Sequence, residues 1–318
     1  MAIKSLTSSS LTNNVFYRSL LAGNAKFALG GIAGYWAGGS QLTTVDKFAF
    51  TDDSRTTLAT GLPSGIRNFS GISNMGVAGY TGGGFNGSLL SEVSKFTYPS
   101  DVRSILATGL SGARAGTGGI FNTSVAGYFG GAAIPVASSV VDKFAFPSDS
   151  RTTLGTGLSG SRSGTSGMSN SAVAGYFSGG LQGGTAISTV DKFAFPSDTR
   201  TSLATGLSAD DHYTGSMSNN GSAGYVSGGA DASFVLTDKV DKFAFPSDSR
   251  TTLATGLSGN RYSQAGVSNS DVAGYFGGGN DGSVSVTTVD KFSFADDSRT
   301  TLATGLSSAR YQIASFQD

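Results

Sequence analysis

Cysteine is absent from the 318 residues, histidine and tryptophan occur once each, and there are only 6 prolines. Without cysteine there is no disulfide scaffold and no thiol nucleophile, and the redox compartment stays open. With His212 as the one histidine, neither a two-histidine metal centre nor a cysteine-ligated one can be assembled. Charge is scarce too: 13% of residues are charged, and 21 Lys plus Arg balance 21 Asp plus Glu to a formal net charge of zero. That balance argues against nucleic acid as a partner, since such binding needs a broad basic field, and it permits close self-association. No apolar run reaches the roughly 18 residues of a membrane helix, so no membrane insertion is expected. Met1 to Asn14, MAIKSLTSSSLTNN, lacks the apolar core of a secretory signal peptide, and none is expected.

Glycine is what the chain has in excess: 48 residues, about twice the usual share. They follow no G-x-y period, so collagen is excluded. They punctuate short apolar runs, as many tight turns require. The stretch Val240 to Ser258, VDKFAFPSDSRTTLATGLS, recurs six times almost letter for letter. Its lysines, Lys47, Lys95, Lys143, Lys192, Lys242 and Lys291, are 48, 48, 49, 50 and 49 residues apart. A period near 50 means a solenoid, propeller or array.

In the third copy, Ala115 to Phe121, Val125 to Gly130, Val140 to Phe146 and Thr152 to Gly157 read as four short strands. Turns at Asn122-Thr123 and Pro147 to Ser150 separate the first two and the last two. Four strands and no helical pattern per repeat give one twisted antiparallel sheet, which cannot bury both faces alone. The predicted fold is all-β: a six-bladed β-propeller spanning 30–318, with four antiparallel strands per blade. Arg310 to Asp318 aligns with Arg114 to Asn122, so residues 311–317 are predicted to be the innermost strand of the blade whose other strands lie near 32–62. The rival donor of that strand is Lys26 to Gly30.

The unit resembles a kelch repeat. An aromatic precedes a glycine pair in every copy: Tyr35 with Gly38-Gly39, Tyr80 with Gly82-Gly83, Tyr128 with Gly130-Gly131, Tyr176 with Gly179-Gly180, Tyr225 with Gly228-Gly229 and Tyr275 with Gly277-Gly278. Arg67, Arg114, Arg162, Arg261 and Arg310 read as the arginines that open units, with Asp211 at the remaining junction. The fourth-strand tryptophan of that pattern is replaced by Leu58, Leu106, Leu154, Leu203, Leu253 and Leu302. The resemblance implies architecture and almost nothing about activity.

Recurrent charges read as frame. The turn aspartates Asp53, Asp101, Asp149, Asp198, Asp248 and Asp297 are expected to accept backbone N–H groups of their own turns. Asp46, Asp142, Asp191, Asp241 and Asp290 each precede a lysine on a strand, so each Asp and its Lys face opposite ways.

Function is sought where the copies differ. From each lysine to the next unit the spacing is 19 or 20, whereas from the tyrosine to the lysine it runs 12, 15, 15, 16, 17 and 16. The variable loop joins the second and third strands. It should open on the same face as the link between blades, where Ala209-Asp210-Asp211-His212-Tyr213 breaks the pattern. Candidate ligand contacts on that face are Phe85, Asn86, Asp210, Asp211, His212, Tyr213, Asp231, Phe234, Asn280 and Asp281. Rings beside Asn and Asp suit sugar or protein recognition.

No catalytic residue and no cofactor is assigned, and the chain is read as a non-enzyme. The carboxylate-only alternative pairs Asp210 or Asp211 with Asp231 as in glycosidases. A Ca²⁺ site at Asp231 or Asn280 with Asp281 matches no full loop motif. The GYFxGG and KFxFPSD signatures and the short head are similar to repeat proteins of tailed bacteriophages, especially those infecting cyanobacteria. That resemblance implies a virion or tail-associated structural protein, with residues 1–29 engaging other virion proteins and the loop face meeting a host-surface glycan. A cellular, cytoplasmic kelch-type interaction module is the alternative. The oligomeric state is left open.

Overall fold

Ala-Gly-Tyr opens the same strand in every repeat, and that strand has no exposed residue. Ala33–Ala37, Ala78–Gly82, Ala126–Ala132, Ala174–Ser178, Ala223–Ser227 and Ala273–Gly277 are buried throughout. A strand covered on both faces needs another sheet on each side of its own, and a closed ring supplies this to every copy. The computed structural model, which describes residues 31–133 and 136–318, is that ring: an all-β, six-bladed β-propeller whose blades are four-stranded antiparallel sheets. Blade 4, for example, runs outward as Ser166–Asn170, Ala174–Ser178, Val190–Ala194 and Thr199–Ser202.

Closure follows the phase of the repeat. Ala314–Gln317 pairs antiparallel with Ala33–Ala37 as the innermost strand of blade 1, Gly34 opposite Gln317 and Ala37 opposite Ala314. The rival donor Lys26 to Gly30, the 1–29 head and loop residues 134 and 135 lie outside the described residues. Strand limits are tighter than the sequence suggests. In blade 3 the innermost strand is Gly118–Asn122, because Gly116 has already turned into a left-handed conformation at φ 74°, and the outermost is Ser150–Thr153.

The apolar core is divided into six clusters, each lying between two blades. Ile72, Ala78, Tyr80, Val93 and Leu110 of blade 2 enclose Phe129, Phe144 and Phe146 of blade 3. Gly127 shows what the Ala-Gly-Tyr glycine does: a Cβ there would run into the Ile72 side chain of the preceding blade. Trp36 fills the junction with blade 6, its indole N–H donating to the Ala265 carbonyl at 2.9 Å.

Each junction also carries a polar clamp, which corrects the expected role of the turn aspartates. Their carboxylates reach across to the preceding blade. Asp149 accepts the Tyr80 hydroxyl at 2.8 Å and the Lys95 ammonium at 2.6 Å. The same pair of bonds joins Asp101, Asp198, Asp248 and Asp297 to their neighbours, and Asp53 closes the circle with Tyr275 and Lys291. Each lysine Nζ also sits over its tyrosine ring, 5.3 Å from the centroid for Lys95 and Tyr80. All six aspartates hold the left-handed turn position, which Asp tolerates better than most residues.

The strand aspartates form a second, buried system. Asp191 is fully buried and accepts the Arg162 guanidinium at 3.0 Å, the Ser159 N–H and hydroxyl at 2.8 and 2.9 Å, and the Ser202 hydroxyl at 2.6 Å. Arg114 with Asp142, Arg261 with Asp290 and Arg310 with Asp46 repeat it. Blade 2 lacks the whole set. Pro63, Ile66, Ser94 and Ile105 stand in its four places, as the lysine-counted register shows. The hydrogen bonds agree: the Gly39 N–H donates to the Ile66 carbonyl just as that of Gly84 donates to Arg114. Arg67, read from sequence as a unit-opening arginine, is therefore one residue past that position.

Candidate functional site

Six residues in left-handed conformation surround the axis on the loop face: Asn68, Gly116, Gly164, Tyr213, Ser263 and Gln312, with φ between 54° and 74°. Each donates its backbone N–H to the carbonyl of the preceding one. The distances, from Asn68 to Gln312 and then on around the circle, are 2.9, 2.7, 3.0, 2.9, 2.6 and 2.9 Å. The result is an unbroken collar of main-chain hydrogen bonds, which uses all six of these N–H donors. Beneath it the innermost strands enclose a cavity of about 120 Å³, floored by small residues such as Gly119, Gly167 and Ser216. Such a space suits water and is smaller than a typical ligand pocket.

The variable loops and the links between blades do share this face. Phe85 bridges to Arg67, Ala230 to His212, and Asn280 to Tyr262. Bulk is distributed unevenly around the mouth. Blades 3 and 4 present Ala115, Gly116, Ser163 and Gly164, whereas blades 5, 6, 1 and 2 present His212 and Tyr213, Tyr262, Tyr311, and Arg67 with Phe85. An arc of rings results. His212 lies 4.8 Å from Tyr213 and 5.3 Å from Phe234, Phe234 meets Tyr262 edge-on at 5.6 Å, and Tyr262 meets Tyr311 at 5.9 Å. The Tyr213 ring lies against Gly164, where a Cβ would press on its edge. Beside it Arg67, Asn68, Phe85, Tyr213 and Gln312 line an open cleft of about 220 Å³.

The ten sequence candidates separate into four groups. Phe85 and Tyr213 line the cleft; His212 and Phe234 belong to the arc, His212 buried and Phe234 exposed. Asn86, Asp231, Asn280 and Asp281 hold their own loops. Asp231 accepts the N–H groups of Ser233 and Val235, Asp281 those of Ser283 and Val284, Asn280 that of Gly282, and Asn86 that of Ser88. Asp210 is exposed and Asp211 buried at the arginine position of blade 5. Arg67, Asn68, Tyr262, Tyr311 and Gln312 were missed. Their signal was present: counted from each lysine, these are two positions where near-identical repeats alternate between glycine, alanine or serine and a large side chain.

Asp211 makes blade 5 electrostatically unlike the rest. Blade 5 keeps Asp241 but supplies a second carboxyl instead of the arginine. Burial first, with Asp241, Asp231 and Asp210 adding to it and Lys239 opposing, pushes Asp211 up to about 6. Burial lowers the pKa of the His212 ring, against the raising effects of the Ala230 backbone and Asp231. Because the folded Asp211 binds its proton more tightly than the unfolded chain does, its ionisation opposes folding. The penalty is absent below the ordinary value of 3.8 and complete above about 6. Asp211→Asn is expected to raise stability at pH 7.5 by about 1–3 kcal/mol and to flatten the pH dependence between those limits. Urea melts of both proteins at pH 4 and pH 7.5 check it; equal gains at the two pH values would refute the assignment.

No protein-family model matches the chain, and no curated protein matches it. Among the described residues no group of three His, Asp or Glu side chains is placed to hold a metal ion, and no helix is long and apolar enough to cross a membrane. The described residues form a six-bladed all-β propeller with one face on which the repeat is broken.

Proposed function

We propose that this propeller is a non-catalytic binding module, part of a virion or tail-associated assembly, whose loop face recognises a host-surface glycan. The observation that carries the reading is the arc of Tyr213, Phe234, Tyr262 and Tyr311 beside a cleft at the axial mouth, where four of the six blades otherwise share one Arg–Asp frame. Tyrosines offer flat apolar faces to sugar rings and hydroxyls to their rims. The virion setting is supported by the repeat-level likeness to tailed-phage proteins; residues 1–29 would then engage a structural partner. A kelch-type protein-interaction module is the alternative occupant of the same face.

Asp211, with its carboxyl near 6, is the feature that favours the second, glycan-acting reading, because a general acid needs such a value. Against it, Asp211 is 7% exposed and Asp231 is engaged by its own loop. The test is a glycan array and host polysaccharide, with Tyr213→Asn and Tyr262→Ala beside the parent; Asn keeps the left-handed backbone at ease. Saturable binding is expected, weakened by about tenfold or more in each variant, since losing one stacked ring costs roughly 1–2 kcal/mol. Binding that both variants retain in full would move the site off this face. Release of new reducing ends would establish the glycan-acting reading.

A further inference from the structure

Arg67 stands out among the arginines of the links between blades. Arg114, Arg162, Arg261 and Arg310 are buried and each is neutralised by a strand aspartate. Arg67, displaced one residue by Ile66, is half-buried, and among the described residues its guanidinium has no carboxylate partner; it lies over the Phe85 ring, 5.4 Å from the centroid. Its charge reaches the Tyr213 hydroxyl, whose pKa it lowers against the larger raising effect of burial. No carboxylate lines the cleft between them. The other walls are Asn68, Phe85 and Gln312, and the Gln312 amide oxygen is buried without a hydrogen-bond partner.

We propose that this cleft binds a carboxylate-bearing saccharide, with its carboxylate on Arg67, its sugar ring against Tyr213 and its hydroxyls on Asn68 and Gln312. This rests on the loop-face glycan reading and narrows it to acidic sugars. Three observations select the class. A guanidinium presents a planar fork that matches a planar carboxylate with two parallel bonds. A peptide C-terminus is instead usually captured by free backbone N–H groups, and at this mouth all six collar N–H groups are consumed by the collar itself. An open cleft of about 220 Å³ is below the usual range of roughly 300–1,000 Å³ for drug-sized ligands, which fits one monosaccharide unit of a chain continuing into solvent. Arg67 is the one cation lining the cleft, and a single positive charge disfavours polyphosphate and nucleic acid.

The experiment uses the full chain and calorimetric titration with short uronic-acid oligomers and sialylated oligosaccharides, each paired with its carboxyl-reduced, neutral counterpart. The acidic member of at least one pair is expected to bind about tenfold or more tightly than its neutral form. Arg67→Gln should remove that preference at unchanged melting temperature, and Arg67→Lys should retain part of it. Equal affinity for both members of every pair, unaffected by Arg67→Gln, overturns the acidic-sugar assignment while leaving the loop-face glycan reading intact. An acidic preference that survives Arg67→Gln overturns the role of Arg67 and places the carboxylate elsewhere. Absence of all saccharide binding by the folded protein overturns both readings.

Discussion

Removal of Tyr311 to Asp318 is expected to abolish the single cooperative unfolding transition and leave a chain that self-associates. The deletion strips blade 1 of its innermost strand and exposes Ala33–Ala37, a fully buried apolar strand, as a free edge. It takes Phe316 and Ala314 out of the cluster between blades 1 and 2, and Ile313 out of the cluster between blades 6 and 1. Burial of Phe316 and Ile313 is worth about 1.5–3 kcal/mol each. The collar loses Gln312 and both its hydrogen bonds. Together these correspond to a fall in Tm of more than about 10 °C if any transition survives. Scanning calorimetry and size-exclusion chromatography decide it. A truncated protein with the parent's Tm and a single monomer peak would mean that the ring does not depend on this strand.

The second large effect concerns a network the chain has already replaced once. Asp191→Ser in blade 4 is expected to cost about 3–5 kcal/mol, because it leaves the fully buried Arg162 without its counter-ion. Arg162 is poorly served even in the parent, since its Nε and Nη1 have no acceptor. Blade 2 shows the apolar solution: proline in place of the serine that donates its N–H, isoleucine in place of the arginine, serine in place of the aspartate and isoleucine in place of the outer hydroxyl. Copying it into blade 4 as Ser159→Pro, Arg162→Ile, Asp191→Ser and Ser202→Ile should restore most of the lost stability. The guanidinium, the carboxylate, the Ser159 donors and the Ser202 hydroxyl then vanish together, position 191 keeps only a neutral hydroxyl like that of Ser94, which donates to Glu92 in blade 2, and no buried charge is orphaned. Urea unfolding of the single and quadruple variants tests this. A quadruple variant as unstable as Asp191→Ser alone would show that the ion network is needed for the fold itself.

These two cases also mark what was legible beforehand. Strand count, blade number and the closing strand could be read because each blade repeats a near-identical pattern, and the phase of that pattern at Arg310 to Asp318 points to one partner. The clamps could not. Tyr80, Lys95 and Asp149 are separated by 54 and 69 positions, and only the angle between blades brings them together. A turn aspartate read locally has backbone donors within reach, so the sequence alone favours the wrong partner. Arg67 was misread for a related reason: matching residue type found an arginine, whereas counting from Lys47 would have put it 20 residues on instead of 19. At the mouth, variable loops drew attention to Asn86, Asp231 and Asp281, polar residues that turn out to support their own turns. Tyr262, Tyr311 and Gln312 were hidden in the frame.

The way the ring is closed determines how it bears force. The Asp318 N–H donates to the Ala33 carbonyl at 3.0 Å, so residue 33 and residue 318 lie side by side at the same end of one strand pair. Tension drawn between these two points acts across the sheet and loads the bonds joining Gly34–Ala37 to Ala314–Gln317 one after another, as a zipper is opened. Tension drawn between residues on opposite blades is instead spread over the collar and several carboxylate clamps at once. Because forced rupture follows the unfolding barrier and not the equilibrium stability, the propeller is soft when pulled by its own ends and stiff when gripped across its diameter.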